Sequence, residues 1–302
     1  MILVIILYLL FASAFTLGKA ALAYVSPFLF IGIRMTVGGA LLLAYLFLSK
    51  KRVTFEKKDS RLFLQIIFFH IFLSYTLEFW GMEQVNSAKV CLLYNLSPFI
   101  TALFSYFLFA ERLTMRQVCG LIIGFAGFLP ILIAQTPTEE MFWNIAFFSV
   151  YEIAISISVI SSAYGWVTMK NLVHRGYSFI FVNGIRMLGG GILSLVLSLI
   201  KEGWPIMKQQ PDIVLNGFCS PFMMLSFYTM ALIIIANIIC YNLYGYLLSR
   251  YSPTFLSFSG FMTPLFGAFL GWFFLGEVIT WHYFATVGFV FFGLYLFYRN
   301  QL

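Results

Sequence analysis

Phe30-Ile-Gly-Ile-Arg34-Met-Thr-Val-Gly38-Gly39 is answered 152 positions later by Val182-Asn-Gly-Ile-Arg186-Met-Leu-Gly189-Gly190-Gly191. An arginine inside an apolar run, with glycines about one turn further on, is a costly local choice, and this chain makes it twice. A second set of landmarks follows each copy. Ser97-Pro98, Phe107, Ala110-Glu111 and Thr114 recur 166 positions later as Thr263-Pro264, Phe273, Gly276-Glu277 and Thr280. The larger second shift places an insertion between the landmarks of the second half, in keeping with its longer connection at 201–210. The chain therefore divides into two related halves, residues 1–135 and 141–302.

Each half is built of apolar stretches of the length that crosses a bilayer, about 20 residues. In the first half they are 2–22, 27–48, 62–82, 88–109 and 115–133. In the second they are 142–169, 178–200, 221–248, 253–275 and 281–298. Of the 302 residues, 62% are hydrophobic and 10% charged, against about 25% charged in soluble domains. A soluble globule has no interior large enough for that much apolar surface, so the solvent must be largely lipid. The first stretch carries no basic residue ahead of its apolar run and reads as a spanning helix, not a secretion signal. An odd number of spans per half makes corresponding helices cross in opposite senses. The expected fold is an all-α polytopic membrane protein of ten transmembrane helices, arranged as two inverted five-helix repeats.

The basic residues orient it. Net charge is +7, but its distribution points to topology and not to nucleic acid. With the N-terminus inside, twelve lysines and arginines fall in inner connections, six of them between Lys50 and Arg61. Four fall outside: Lys19, Lys89, Lys201 and Lys208. This asymmetry puts both termini in the cytoplasm. Trp80, Trp143, Trp204 and Trp281 fall near outer ends, where indoles favour the interface. The cysteines Cys91, Cys119, Cys219 and Cys240 have no metal-ligand spacing and read as small buried hydrophobes. Gly120-x-x-x-Gly124 and Gly267-x-x-x-Gly271 read as close-packing helix faces.

Charges at membrane depth normally face a bundle interior or cavity. Four stand out: Arg34, Glu78, Glu152 and Arg186, with His70 a fifth. The arginines are symmetry mates, suited either to packing and gating or to gripping a substrate carboxylate. Glu78 and Glu152 have no acidic mates, which marks them as candidates for a cationic group on cargo or for a proton. Tyr94, with Ser97, Thr101 and Ser105 on one helix face beside Pro98, supplies polar groups in the fourth stretch. Tyr151, Asn237, Tyr241 and Tyr244 add more. An aromatic cage with a few placed polar groups suits an organic cation or flat heterocycle. Glu111 and Glu277, at matching helix ends, read as turn stabilisers. No Walker loop, His-Glu-x-x-His or Gly-x-Ser-x-Gly motif is present, so neither an ATP-driven pump nor an enzyme is expected. No cofactor or metal is expected either.

Gly81-Met-Glu-Gln-Val-Asn-Ser-Ala-Lys89, then Leu96-Ser-Pro98-Phe, Phe109-Ala-Glu-Arg-Leu-Thr114, Gly120 and Gly124 resemble the EamA family of the drug/metabolite transporter superfamily. Ala110 stands where the family carries glycine, while Gly276-Glu277 keeps the pair. The resemblance spans both halves and implies ten helices around a central cavity and secondary transport. The Phe-rich region of helices 3 to 5, with its intramembrane glutamate, is also similar to S-adenosylmethionine transporters of obligate intracellular bacteria. The sequence thus leads to a transporter of a bacterial inner membrane whose partners are a small molecule and the bilayer. Its expected cargo is amino-acid-like, with S-adenosylmethionine/S-adenosylhomocysteine exchange one specific form. An exporter of amino acids or drugs, and a non-transporting scaffold or receptor, are the alternatives. Monomer and homodimer both stay open.

Overall fold

A computed structural model of the chain describes residues 2–22, 24–50, 55–85, 90, 93–135, 149–203, 221–275 and 281–298. These residues are helical throughout their ordered elements, and no strand occurs among them. Helices α1 (Ile2–Ala21) and α2 (Pro27–Leu48) are followed by α3, which comprises Ser60–Gln65, a π-helical stretch Ile66–Leu73 and Ser74–Met82. Next come α4 (Ser97–Phe109), α5 (Met115–Gln135), α6 (Val150–His174) and α7 (Phe179–Lys201). Helix α8 comprises Pro221–Leu232, a second π stretch Ile233–Cys240 and Tyr241–Leu248; α9 comprises Pro253–Ser259 and Met262–Leu275; α10 is Trp281–Tyr298. Among the described residues, six helical stretches are long and apolar enough to cross a membrane, and four shorter apolar helices accompany them.

Local chemistry sets the ends. Ser26 is extended and Pro27 opens α2, since proline's missing N–H costs nothing at a first helical position. Ser252 and Pro253 repeat this at α9, where Ser252 Oγ accepts from Phe255 N at 3.1 Å. Helix α6 starts at Val150, later than its apolar stretch suggested, because Ser149 caps it; residues 142–148 lie outside the described residues. Two spans are broken. Residues 95 and 96 form a turn ahead of Ser97-Pro98, and Gly260 and Phe261 interrupt α9 ahead of Pro264. Proline removes a ladder bond in both places. Ala110, at the end of α4, sits in the left-handed region at φ 54°, a helix-ending conformation that glycine adopts more readily than alanine.

The surface is apolar and the centre polar. Phe47, Leu48, Phe107, Phe222 and Phe284 are exposed, while Arg34, His70, Asn183, Arg186 and Asn237 are buried. That inversion is how a helix bundle meets lipid. Helices α2 and α7 run antiparallel in close contact: Gly32 faces Leu195, Gly191 faces Thr36, Gly39 faces Leu188 and Gly184 faces Leu43. Helices α5 and α10 do the same, with Gly120 against Gly293 and Gly127 against Phe289. Glycine lets the backbones approach. Further packing joins α3 to α6 and α7, α1 to α8 and α9, α2 to α8, and α4 to α6 and α9.

Two polar ties fasten the frame, one between α2 and α7 and one between the start of α3 and the α6–α7 connection. At one, Glu202 accepts from Ser26 Oγ (2.8 Å), Phe28 N (3.0 Å), Leu29 N (3.0 Å) and Ser198 Oγ (2.7 Å). At the other, the buried Asp59 accepts from Tyr177 Oη at 2.9 Å and pairs with Arg175. Two sequence expectations change. Gly267 has open space around it, so it is no close-packing position, unlike Gly120 and Gly124. Cys119 is exposed on α5 while Cys240 is buried, and Cys91 and Cys219 lie outside the described residues.

A methyl group added at Gly39 would sit 2.8 Å from the Gly184 carbonyl oxygen and against the Leu188 backbone, neither of which can swing aside. Gly39→Ala should therefore cost about 1–3 kcal/mol and lower the melting temperature of the purified protein. Gly267→Ala should leave it unchanged or slightly higher.

Candidate functional site

The site forms where α2, α3, α6 and α8 meet. Arg34 leaves α2 4% exposed, and its guanidinium lies 5.6 Å from the ring centres of Phe30 and Tyr75 and 5.7 Å from that of Phe79. Its Nε has no hydrogen-bond partner, and no carboxylate reaches it within ion-pair distance among the described residues. Glu78, one turn beyond Ser74 on α3, is partly buried and shares the field of Arg34. The Tyr94 hydroxyl faces Glu78 and also meets Ser158 Oγ of α6 at 3.2 Å, which in turn lies 3.3 Å from Ser74 Oγ. A polar chain thus crosses α4, α6 and α3 and ends at the carboxylate.

Arg186 is held differently. It is fully buried, donates through Nε to Asn183 Oδ1 at 2.8 Å and contacts the His70 ring nitrogens. Its guanidinium stands 4.6 Å from the Trp166 ring and 5.2 Å from the Tyr241 ring. Trp166 stacks on Tyr244 at 3.8 Å and meets His70 edge-on at 4.4 Å. A residue at position 165 with any side chain would collide with His70; Gly165 gives the imidazole its place. Cation–ring contacts of this kind contribute most where water is excluded.

Of the residues expected from sequence, the structure brings together Arg34, Glu78, Tyr94 and Tyr241, with Arg186 beyond Tyr241. Three others are employed elsewhere. Glu152 forms a capping box with Ser149 at the start of α6: it accepts from Ser149 N at 2.9 Å while Ser149 Oγ accepts from Glu152 N at 3.3 Å. Tyr151 packs its ring against Trp80 at 5.0 Å near that same helix end. Asn237 is fully buried and braces α8 to α2, donating to the Arg34 carbonyl oxygen at 3.1 Å through the gap that Gly38 leaves. Tyr75, Phe79 and Trp166 were not singled out from sequence. Trp166 carried a signal, since tryptophan favours interfaces and this one lies inside a span. Glu277, Trp143 and Trp204 lie outside the described residues. No cluster of metal-ligating side chains occurs among the described residues.

A profile of the EamA-like transporter family matches residues 1–133 and again 149–299. The chain belongs to that family. It is 30% identical over 297 residues to the S-adenosylmethionine/S-adenosylhomocysteine transporter of Chlamydia muridarum, covering 97% of this chain and 89% of that protein. The protein of the same description from Chlamydia trachomatis serovar L2 is 29% identical, with 97% and 86% covered. The uncharacterized transporter YoaV of Bacillus subtilis is 23% identical over 264 residues, with 87% and 84% covered. A crystal structure superposes with a TM-score of 0.72 over 98% of this chain and 93% of its own, at 19% identity, and so shares the fold. The chain is accordingly a multi-pass membrane transporter with a small-molecule substrate.

Because Glu152 is engaged in capping, Glu152→Gln and Ser149→Ala should each lower stability by about 1 kcal/mol. Both should leave cargo affinity unchanged. Melting curves read beside a binding titration check the two parts separately; a lost affinity in Glu152→Gln would return this residue to the cavity.

Proposed function

We propose that this protein is a secondary transporter of the bacterial inner membrane, exchanging an amino-acid-like metabolite across it without chemically altering it. In this reading ten helices form two inverted five-helix halves, with both termini cytoplasmic. The helix packing supports the halves: exchanging α1 with α6, α2 with α7, α3 with α8, α4 with α9 and α5 with α10 turns the pairs α1–α8, α2–α8 and α1–α9 into α6–α3, α7–α3 and α6–α4, and leaves α2–α7, α4–α9 and α5–α10 as they are. Antiparallel α2–α7 and α5–α10 are what mates related by an axis in the membrane plane require. The matching π stretches in α3 and α8 and the matching breaks in α4 and α9 add to it.

One observation carries the cargo class. Arg34 is a buried guanidinium ringed by aromatic faces, with an unpartnered Nε and with Glu78 nearby but not paired to it. A lone charge at this depth is costly, and a bound carboxylate satisfies it with bidentate geometry. Glu78 and the rings of Tyr75 and Phe79 then suit a cationic centre on the same molecule, and the aromatic row through Tyr241 to Trp166 suits a flat heterocycle. S-adenosylmethionine combines all these groups, and the similarity to transporters described for S-adenosylmethionine/S-adenosylhomocysteine favours it. Cargo binds Arg34, Glu78, Tyr94 and Tyr241; Arg186 positions Trp166 and Tyr241.

In proteoliposomes, S-adenosylhomocysteine loaded inside should drive uptake of labelled S-adenosylmethionine. Arg34→Gln should weaken both ligands by roughly 10- to 100-fold, the range of a lost charge-assisted contact. Glu78→Gln should weaken S-adenosylmethionine more than S-adenosylhomocysteine, which lacks the sulfonium charge. Normal affinity for both ligands in both variants would refute the site.

Topology has its own test. Reporter tags placed near Lys57 and Glu139 should emerge on opposite sides, the first cytoplasmic. Emergence on a common face would overturn the inverted arrangement whatever the cargo.

A further inference from the structure

Beyond the central site, α6 and α8 continue past Trp166 and Tyr244 to the end of the bundle, where a cavity opens. It measures about 500 Å³ and is lined by Lys170, His174, Leu248, Ser249, Arg250 and Ser252 among others. Lys170 lies one turn beyond Trp166, or about 6 Å along the helix, and His174 one turn beyond that. Arg250 comes from the connection that follows Tyr244 and Leu248. The same two helices thus present stacked rings in the bundle and nitrogen-bearing side chains at its mouth.

The lining chemistry is one-sided. No carboxylate is among the lining residues. Neither Lys170 nor Arg250 forms an ion pair within 4 Å among the described residues. Each is instead set against a ring: Lys170 Nζ lies 5.4 Å from the centre of Phe109, and the Arg250 guanidinium 4.8 Å from that of Tyr246. Ring faces hold a cation in place without neutralising it or occupying its N–H donors. Glu111 is the acidic group that acts on Lys170, and it stays beyond ion-pair range. The volume falls within the span of small-molecule sites, roughly 300–1,000 Å³, and exceeds what a bare ion needs.

We propose that this cavity is a separate binding site for an organic anion, one that presents a phosphate or carboxylate to Lys170 and Arg250, with His174 beside them. The anion comes either from a soluble metabolite or from an anionic phospholipid headgroup. The inference rests on the cavity and its cations and stands independently of the cargo assigned to the central site.

The test uses the full-length purified protein in nanodiscs. In phosphatidylcholine discs, glycerol 3-phosphate is titrated and the melting temperature followed; in parallel, discs containing phosphatidylglycerol are compared with phosphatidylcholine alone. A saturable rise is expected, since a ligand that binds the folded state stabilises it by mass action. A rise with glycerol 3-phosphate assigns a soluble anion, and a rise with phosphatidylglycerol alone assigns a headgroup. The double variant Lys170→Gln, Arg250→Gln should weaken the effect by about tenfold or more. Lys170→Arg, which keeps the charge, should retain it, so that loss of packing is told apart from loss of charge. Arg34→Gln should also retain it. No saturable rise with either probe, an undiminished rise in the double variant, or its loss in Arg34→Gln would each overturn the proposal.

Discussion

Two guanidinium groups inside apolar helices, neither paired with a carboxylate among the described residues, are the constraint from which the interior of this protein follows. A charge in so low a dielectric must be given polar or polarisable surroundings. Here those surroundings are mainly ring faces: Phe30, Tyr75 and Phe79 about Arg34, and Trp166 and Tyr241 about Arg186. Rings of that size fit only where backbone yields space. Gly165 admits His70 and Gly38 admits Asn237, while Gly39, Gly184 and Gly191 bring α2 and α7 into contact. The glycine clusters beside each arginine and the aromatic content of the chain are two aspects of one requirement.

The symmetry of the chain is broken where the chemistry lies. His70 and Asn237 occupy the π stretches of α3 and α8, and each reaches the arginine helix of the opposite half. His70 meets the Arg186 side chain, whereas Asn237 donates to the Arg34 backbone carbonyl and to Met35 Sδ and does not reach the guanidinium. Arg186 therefore gains an imidazole and an asparagine oxygen, and Arg34 gains neither. Glu78 completes the difference, for it stands on the Arg34 side and its counterpart region in α8 carries Tyr244. Arg186 is held by side chains and keeps one unpartnered donor, Nη2, whereas the Nε of Arg34 has no partner and no side chain fixes it as His70 and Asn183 fix Arg186. A pseudo-symmetric frame with a polarised centre suits a ligand whose two ends differ.

Much of this was legible in the sequence, for identifiable reasons. Helix positions were readable because lipid demands long apolar runs, and α2 matches its expected bounds residue for residue. Arg34 and Glu78 were readable because a charge inside such a run is conspicuous. Tyr75 and Phe79 were not, because in a chain with 20% aromatic residues periodicity cannot separate rings that face lipid from rings that face the centre. Glu152, expected as a cavity charge, also caps α6, and that use was legible in Ser149-x-x-Glu152 ahead of an apolar run, a capping-box signature. The break at Gly260 left no mark in the hydropathy of residues 253–275.

The distribution of ties and weak points bears on how the frame can move. The α2–α7 pair is glycine-packed along its length and fastened at one end by Glu202. Sliding these helices past one another would break several charge-assisted hydrogen bonds at once, each contributing about 1.5–3 kcal/mol. Helices α3 and α8 carry π stretches and α4 and α9 carry breaks, places where the backbone ladder is already irregular and bending costs less. Those four helices also bear Glu78, Tyr94, Tyr241 and the Ser97–Ser257 contact between α4 and α9. In the proposed site these elements hold the cargo-facing groups, so a rearrangement that opened the centre would fall on them and leave α2 and α7, with Arg34, as its axis.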